Sequence, residues 1–489
     1  MPFKVCLVLS GSTLKENLVI WAKFSPWSDM AELRADRLDR DQWDLLSRFK
    51  GDFPKETIIT LRRPEDGGGW DGPESERVEF FKMRLQENWA FWDIEEDHPL
   101  SPELEDDYRR TGGVIVRSFH DFQGVPDNWS SRVARIMEAG DIAKAAMMVR
   151  GSKDLEEIFR KSKELPPGKR VILGMGDFGT PTRILGTVLG SLWTYASPPL
   201  SIAAPGQLDP ATLKERYRVH LWKPSDPIYG IVGNPLVQSR SPEIHNLGLN
   251  RLGLPGVYLP FLSDNWETFS SLARLLGING LSVTIPFKEK AAALADYKSD
   301  GVQACGSCNT LKFQEGSWMG SNTDVPGFLE PLLRKLDLKS LKGKTASVIG
   351  TGGAARAVLY ALKNAGAEVL VLGRTPEKAR IIAETFDCDW AELKPESTIQ
   401  VFKHNEIIVQ AGSAGMGDQE GVDPLKWYNY NGSETVYDLV YKPRVTAFLK
   451  HAESSGCKVI YGWEMFAEQA KLQFLTFTGQ TYPEPFPLA

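Results

Sequence analysis

The run TASVIGTGGAARAVLYALKNAG, residues 345–366, followed by AEVLVLGRT, residues 367–375, decides the fold of the second half of this 489-residue chain. It reads as a β-run, a glycine turn at Gly350, Gly352 and Gly353 leading into Ala354, a helix, and a second β-run. Glycines let the backbone approach a pyrophosphate, and the helix N-terminus behind them offers free N–H groups to it. A bare glycine loop is a weak signal, but this one has the preceding strand and following helix that a dinucleotide-binding unit requires. At the end of the second strand, where an acid would hold a free ribose hydroxyl, stand Arg374 and Thr375, with Lys378 and Arg380 soon after. A basic cluster holds a 2′-phosphate that an acid would repel, so NADP(H) is expected rather than NAD. Lys378 and Arg380 also read as solvated charges at a helix start.

Upstream of this unit, strands and helices alternate from Ile228 onward, the pattern of an α/β fold with parallel sheets. The stretch HLWKPSDP puts two prolines around a polar segment and places a linker at about residues 222–227. Before it, eight short β-like runs recur: KVCLVLS, MAELRAD, TIITLR, FWDIE, GVIVRSFH, IAKAAMMV, RVILGMG and PLSIAA. Eight is the count of a (β/α)8 barrel. In AELRAD the side chains of Glu32, Arg34 and Asp36 alternate with Ala31, Leu33 and Ala35 and share one face. That face is a barrel interior or, equally well from this segment alone, a solvated edge. Arg62 ends TIITLR, His120 ends GVIVRSFH, and Lys144 lies within IAKAAMMV, so ionisable groups gather at strand C-termini, where barrel active sites are built. Lys144 shares its face with Ile142, Ala146 and Met148. Desolvation there disfavours a charged amine, and a neutral amine can form a Schiff base with a carbonyl. A lysine snorkelling to solvent is the plainer alternative.

The composition, 42% hydrophobic and 25% charged with a net charge of −6, supplies apolar material for more than one core and argues against nucleic acid or an anionic membrane as partners. Small acidic substrates remain allowed. Five scattered cysteines suit a reducing compartment, and the lone pair Cys305 and Cys308 reads as incidental. The start MPFKVCLVLSGS has only a short apolar run, and no stretch is long enough to span a bilayer, so the cytoplasm is expected. Six scattered histidines give no reason to expect a metal.

The segments ELRAD, TLRRPEDGG, SFHDFQGVP, GDIAKAAM, MGDFGTPTR and AAPGQ resemble, in order and spacing, the signatures of type I 3-dehydroquinate dehydratases over roughly residues 3–220. The resemblance implies that Lys144 forms an iminium with the substrate ketone, that His120 moves the C2 proton, and that Arg183 clamps the carboxylate. Glu32, Arg34, Arg62 and Gln207 match the remaining substrate and support positions. Gly67, Gly68 and Gly69 would let the preceding loop move as a lid. Asp66, with Glu65 beside it, stands where many members have a glutamate, which leaves the partner of His120 open, and Ala203 stands where many have a hydroxyl.

The segments YGIVGNPLVQSRSPEIHN, LSVTIPFKEK, CNTL, GSNTDVPGF, TVYDLVYKPRVTAFL and GWEMFAEQA resemble the shikimate dehydrogenase family over nearly all of residues 228–478. The resemblance implies Lys288 and Asp324 as the catalytic pair, Ser239 and Ser241 at the substrate carboxylate, and Thr284, Asn309, Tyr441 and Gln469 around its ring. Gly462 joins the cofactor contacts on the same ground. Ser282, Gly373, Gln410 and Gly412 depart from common family residues.

The expected architecture is therefore α/β throughout: a (β/α)8 barrel over 1–222, a substrate-binding lobe over 228–335 completed by about 445–489, and a Rossmann-like NADP-binding lobe over 336–444. The resemblances imply two consecutive reactions, dehydration of 3-dehydroquinate and reduction of 3-dehydroshikimate to shikimate. A ligand sensor that kept the folds would have no need of Lys144, His120, Lys288 and Asp324, and an NAD-dependent catabolic dehydrogenase would not carry Arg374.

Overall fold

In β1 (Lys4–Leu9) every residue after the first is buried, because alternate side chains face a filled interior and an outer layer, leaving neither side to solvent. The same holds for β2 (Met30–Arg34), β3 (Thr57–Thr60), β4 (Phe91–Glu95), β7 (Arg170–Met175) and β8 (Trp193–Ala196), and for β5 (Val114–Asp121) and β6 (Ile142–Met148) except at their C-terminal ends, where His120, Asp121 and Met148 are half-buried. These parallel strands lie in the order β7-β6-β5-β4-β3-β2-β1-β8. The ends of the sheet approach through a bridge between Arg170 and Ser191, where the Leu192 amide donates to the Arg170 carbonyl at 2.9 Å. Cys6, Val8, Ile58, Val116, Val171 and Leu173 fill the interior. Leu7, Leu33, Ile59 and Trp92 pack outward with helix residues such as Leu14 and Phe81. This is the expected barrel, given by the period-two alternation of each strand.

Coordinates are described for residues 3–166, 168–199 and 205–487 of this computed structural model. The eighth strand is Trp193–Ala196 rather than PLSIAA, of which residues 200–204 lie outside the described residues. Trp193, Thr194 and Tyr195 are aromatic or β-branched and pair with Lys4, Val5 and Cys6, which suits them to a fully buried strand.

The chain forms two units, Met1–Ile228 with Leu254–Gly277, and Tyr229–Gly253 with Ile278–Ala489. Leu254–Gly277, expected within the lobe beginning at 228, joins the barrel unit. Its helix Trp266–Leu276 packs on the barrel helix Ser152–Glu164. The Ser152 amide donates to Asp264 Oδ1 at 2.9 Å, and the Ser152 and Ser263 hydroxyls meet at 2.8 Å.

After β9 (Ile228–Gly233) and β10 (Val257–Leu262) come β11 (Gly280–Val283), β12 (Tyr297–Lys298), β13 (Thr310–Gln314) and β14 (Ser317–Ser321). In the second unit β9, β11, β13, β14 and β12 lie side by side in that order. The sheet is mixed rather than parallel: β13 runs antiparallel to both β11 and β14. Glu315 and Gly316, at φ 52° and 81°, form the two-residue turn between β13 and β14, and such left-handed turns match the twist of a hairpin.

The third sheet is wholly parallel: β15 (Thr345–Ile349), β16 (Glu368–Gly373), β17 (Asp389–Glu392), β18 (Ile407–Gln410), β19 (Thr435–Asp438) and β20 (Lys458–Ile460). Its order β17-β16-β15-β18-β19-β20 reverses direction between β15 and β18, the switch point at which doubly wound sheets bind nucleotides. Among the described residues no helix is long and apolar enough to cross a membrane.

Candidate active sites

The interior face of the barrel collects charge where most strands carry aliphatic residues. Lys144, at the middle of β6, reaches Asp93 Oδ2 at 2.7 Å and Glu32 Oε1 at 3.1 Å, and its Nζ lies 4.4 Å from the centre of the Tyr195 ring. The surroundings of the amine are therefore ionic and aromatic rather than apolar as expected. Strand neighbours of Lys144 are indeed Ile142 and Ala146, but its long stem carries the nitrogen beyond them to carboxylates on β2 and β4.

Arg62 Nη2 pairs with the other Asp93 oxygen at 2.8 Å, while its Nη1 donates to Glu95 and Ser118. Burial alone would depress the Arg62 guanidinium, but Asp93 and Glu95 outweigh it and keep its pKa above the ordinary range. Asp93 is likewise held well below the usual carboxylate range, as Arg62 and Lys144 overcome desolvation.

His120 Nδ1 lies 3.2 Å from Asp66 Oδ1, and Arg63 Nη2 meets the second Asp66 oxygen at 2.7 Å. Burial first, and the charge of Arg62 second, push His120 down to about 4. Desolvation would raise Asp66, but hydrogen bonding with His120 and Arg63 brings it to about 2. Near neutral pH the pair is a carboxylate orienting an uncharged imidazole, a ready general base.

Arg183 is buried, with Nε and Nη1 lacking any partner among the described residues and Nη2 on the Pro205 carbonyl at 3.2 Å. Desolvation lowers it to about 10. An unpaired buried guanidinium is costly unless an anion completes it. Glu32, Arg34, Arg62, Asp66, His120, Lys144, Arg183, Tyr195 and Gln207 line one cavity of about 100 Å³. Arg34 enters it through a bidentate pair with Asp36 at 2.8 and 2.9 Å. Gly67, Gly68 and Gly69 form a packed turn rather than a free hinge: a Cβ at Gly68 would lie 1.9 Å from the Arg62 carbonyl, and the Gly69 amide donates to Asp36.

The second site centres on Lys288, the first residue of the helix Lys288–Leu294, whose Nζ pairs with Asp324 Oδ2 at 2.5 Å. Asp324 opens the helix Asp324–Leu336, and its other oxygen accepts from Asn309 Nδ2 at 2.8 Å. Thr323 N donates to Asn309 Oδ1, fixing the amide orientation. The glycine turn stands beside this pair: a Cβ at Gly353 would sit 3.4 Å from Lys288 Cδ. Gly350 has φ 127° and approaches the backbone of Ala411 and Gly412 so closely that a Cβ would meet it at 3.0 Å.

Thr284, Lys288 and Tyr441 line a cleft of about 700 Å³ with Gly350, Gly352, Gly353, Ala354, Arg374, Thr375 and Lys378. Arg374 and Lys378 are exposed and show no ion pair among the described residues, whereas Arg380 is held by Glu377 and Glu384 of its own helix. Ser239 and Ser241 sit at the start of the helix Ser241–Arg251, beside Gln238, whose carbonyl accepts from the Tyr441 hydroxyl at 3.5 Å. Gln469 packs on Gly327, one turn along the helix that Asp324 begins. Gly462 does not line the cleft; it packs against the backbone of Val440, which does, so closely that a Cβ there would lie 2.5 Å from the Val440 carbonyl.

The barrel matches the family model for type I 3-dehydroquinase over residues 5–221. Residues 231–311 match the shikimate dehydrogenase substrate binding domain, and 332–416 match shikimate / quinate 5-dehydrogenase. The Arabidopsis thaliana chloroplastic bifunctional 3-dehydroquinate dehydratase/shikimate dehydrogenase is 31% identical, the alignment covering 99% of this chain and 83% of that protein. The chain belongs to this bifunctional dehydratase/dehydrogenase family. The shikimate dehydrogenase (NADP(+)) of Oleidesulfovibrio alaskensis is 37% identical over 52% of this chain and 91% of its own. The crystal structure of shikimate dehydrogenase from Aquifex aeolicus matches at TM-score 0.50 and 33% identity, covering 54% of this chain and 96% of that one.

The dehydratase half also contains Asp93, Glu95, Ser118 and Tyr195, which sequence reasoning missed. The signal for the two acids was present in FWDIE, where Asp93 and Glu95 alternate with Trp92 and Ile94. In the dehydrogenase half, two departures from the family have visible partners. Ser282 Oγ donates to Gln473 Oε1 at 2.8 Å in the core, and Gln473 in turn donates to the Asn309 carbonyl. Gln410 Nε2 donates to the Ala414 carbonyl and its Oε1 accepts from the Gly412 amide, so this side chain shapes the turn itself. Cys305 and Cys308 are buried thiols, raised to about 12 and 11 by desolvation.

Proposed function

We propose that the two sites catalyse consecutive steps, 3-dehydroquinate to 3-dehydroshikimate and then to shikimate. The observation that carries the first is Lys144, a buried amine flanked by Asp93 and Glu32 in a cavity with His120 and with Arg183, whose Nε and Nη1 have no partner among the described residues. Arg183 clamps the substrate carboxylate, and Arg34, Arg62, Gln207 and Glu32 hold ring oxygens or the residues that touch them. Lys144 attacks the C3 ketone, water leaves, and the resulting iminium cation sits between two carboxylates that stabilise it. His120, held by Asp66, takes the acidified C2 proton and returns a proton to the departing C1 hydroxyl. Water then hydrolyses the iminium and frees Lys144.

In the second site Ser239 and Ser241 bind the carboxylate, while Thr284, Asn309, Tyr441 and Gln469 face the ring. Lys288, oriented by Asp324, donates a proton to the alkoxide that develops at the ketone. The glycine turn fits a dinucleotide because Gly352 has open space about its α-carbon and Gly350 and Gly353 admit close backbone approach. The exposed Arg374 and Lys378, with Thr375, favour a 2′-phosphate and hence NADP(H), whose reduced form supplies the hydride when bound. The five free cysteines favour a reducing compartment, the cytoplasm or an organelle of like redox state; the Arabidopsis relative is named as chloroplastic.

The test is to supply 3-dehydroquinate and NADPH, follow enone formation and NADPH loss, and trap the lysine adduct with borohydride. Shikimate with an adduct on Lys144 supports both assignments; ligand binding without turnover overturns them.

A further inference from the structure

The cavity around Lys144 contains one group to which the foregoing mechanism assigns no chemistry. Tyr195 is 2% exposed and lines that cavity, yet its hydroxyl has no hydrogen-bond partner among the described residues. It is the only hydroxyl-bearing side chain among the described residues that line it. The neighbouring Trp193 indole N–H is close enough to lower the phenol pKa slightly but forms no hydrogen bond of normal geometry with it, and as a donor only it leaves the phenol proton without an acceptor. A buried polar group left unpaired costs free energy, and in a binding cavity the natural complement is the ligand.

We infer that the Tyr195 hydroxyl hydrogen-bonds an oxygen of the 3-dehydroquinate bound to Lys144, making Tyr195 a further substrate-binding residue of the dehydratase site. This rests on the dehydratase reading given above. The Lys144 nitrogen stands 4.4 Å from the ring centre, so a substrate attached there is carried against the same tyrosine. The aromatic face stabilises the cationic nitrogen, while the hydroxyl reaches for the ring oxygens. Burial, with Glu32 adding to it, raises the phenol well above its ordinary pKa, so it keeps its proton and acts as a donor. The inference also answers a departure in the sequence. Ala203 stands where many related dehydratases have a hydroxyl, and Tyr195, on β8, supplies one.

Tyr195→Phe isolates the hydroxyl because it removes one oxygen and keeps the ring. A tyrosine whose hydroxyl served the fold would lose stability on this change; one whose hydroxyl waits for substrate would lose none. The expected result is a Tm equal to or above that of the native chain, with kcat/KM for dehydration reduced about tenfold, mostly through KM. Reduction of added 3-dehydroshikimate by the same sample should be unchanged. Unaltered dehydration constants, or a lowered Tm, would overturn the inference. Failure of the native chain to dehydrate 3-dehydroquinate would instead remove the reading beneath it, so the two failures are distinct.

Discussion

Asp66 and His120 meet at 3.2 Å across the mouth of the barrel, with the carboxylate held at about 2 and the imidazole at about 4. Asp66 comes from a turn after β3 and His120 from β5, so the pair exists only because the barrel brings that turn to the end of β5. The acid limb of kcat/KM for dehydration should lie near pH 4, where His120 gains its proton, well below an ordinary histidine. Asp66→Asn removes a partner that raises the imidazole pKa, so the limb should move further down while the rate falls roughly a hundredfold through lost orientation. For stability, the folded-state pKa of Asp66 is below the usual 3.8; its contribution is complete above 3.8 and lost as pH falls through about 2. A pH-rate profile of both proteins checks the first point, and acid unfolding checks the second.

Lys144 and Lys288 occupy separate cavities, each paired with its own carboxylate. Lys144→Ala should abolish dehydration and borohydride labelling but spare reduction of added 3-dehydroshikimate. Lys288→Ala should do the reverse, lowering the reductive kcat by about 10²–10⁴. Separate assays of the two half-reactions decide it, and loss of both activities in a folded variant would refute independent sites.

Arg374 stands exposed at the end of β16 on the cofactor cleft, without a carboxylate partner among the described residues. Arg374→Ala should raise the KM for NADPH about tenfold, the scale of a lost charge-assisted hydrogen bond of roughly 1.5–3 kcal/mol. Activity with NADH, which lacks the 2′-phosphate, should change little. The ratio of kcat/KM for the two cofactors is the measurement.

Asp438 ends β19, where its Oδ1 accepts from the Val440 amide at 3.0 Å and its Oδ2 from the Thr446 hydroxyl at 2.6 Å. Its carboxyl is fully buried, and desolvation outweighs those bonds to raise it to about 7. A carboxyl raised above its unfolded pKa of 3.8 adds most to stability below 3.8 and loses that contribution as pH rises through about 7. Asp438→Asn, with an amide that cannot ionise, should therefore raise Tm more at pH 8 than at pH 5. Thermal melts at the two pH values test the sign.

The sequence by itself placed Lys144, His120, Arg62 and Glu32 on strands and the glycine turn between strand and helix, because period-two alternation and a strand–turn–helix pattern are local signals. It missed β8 at Trp193–Ala196, since a short buried run is hard to distinguish from its neighbour PLSIAA by alternation. It also missed the antiparallel β13–β14 hairpin, whose turn residues Glu315 and Gly316 are a less distinctive pair than Asn-Gly. Asp93 and Glu95 were legible as a charged face but not as partners of Lys144 and Arg62, which are 51 and 33 residues away, respectively.

What the sequence determined were the residue types and their faces, which follow from covalent order and backbone periodicity. Tertiary structure alone decided which charges meet: the ionic setting of Lys144, the identity of the His120 partner, and the unsatisfied groups of Arg183 and Tyr195. The reason is physical. Ion pairing and desolvation depend on distances of a few ångströms between strands far apart in sequence, and those distances are set by how the sheet closes and how its interior is filled.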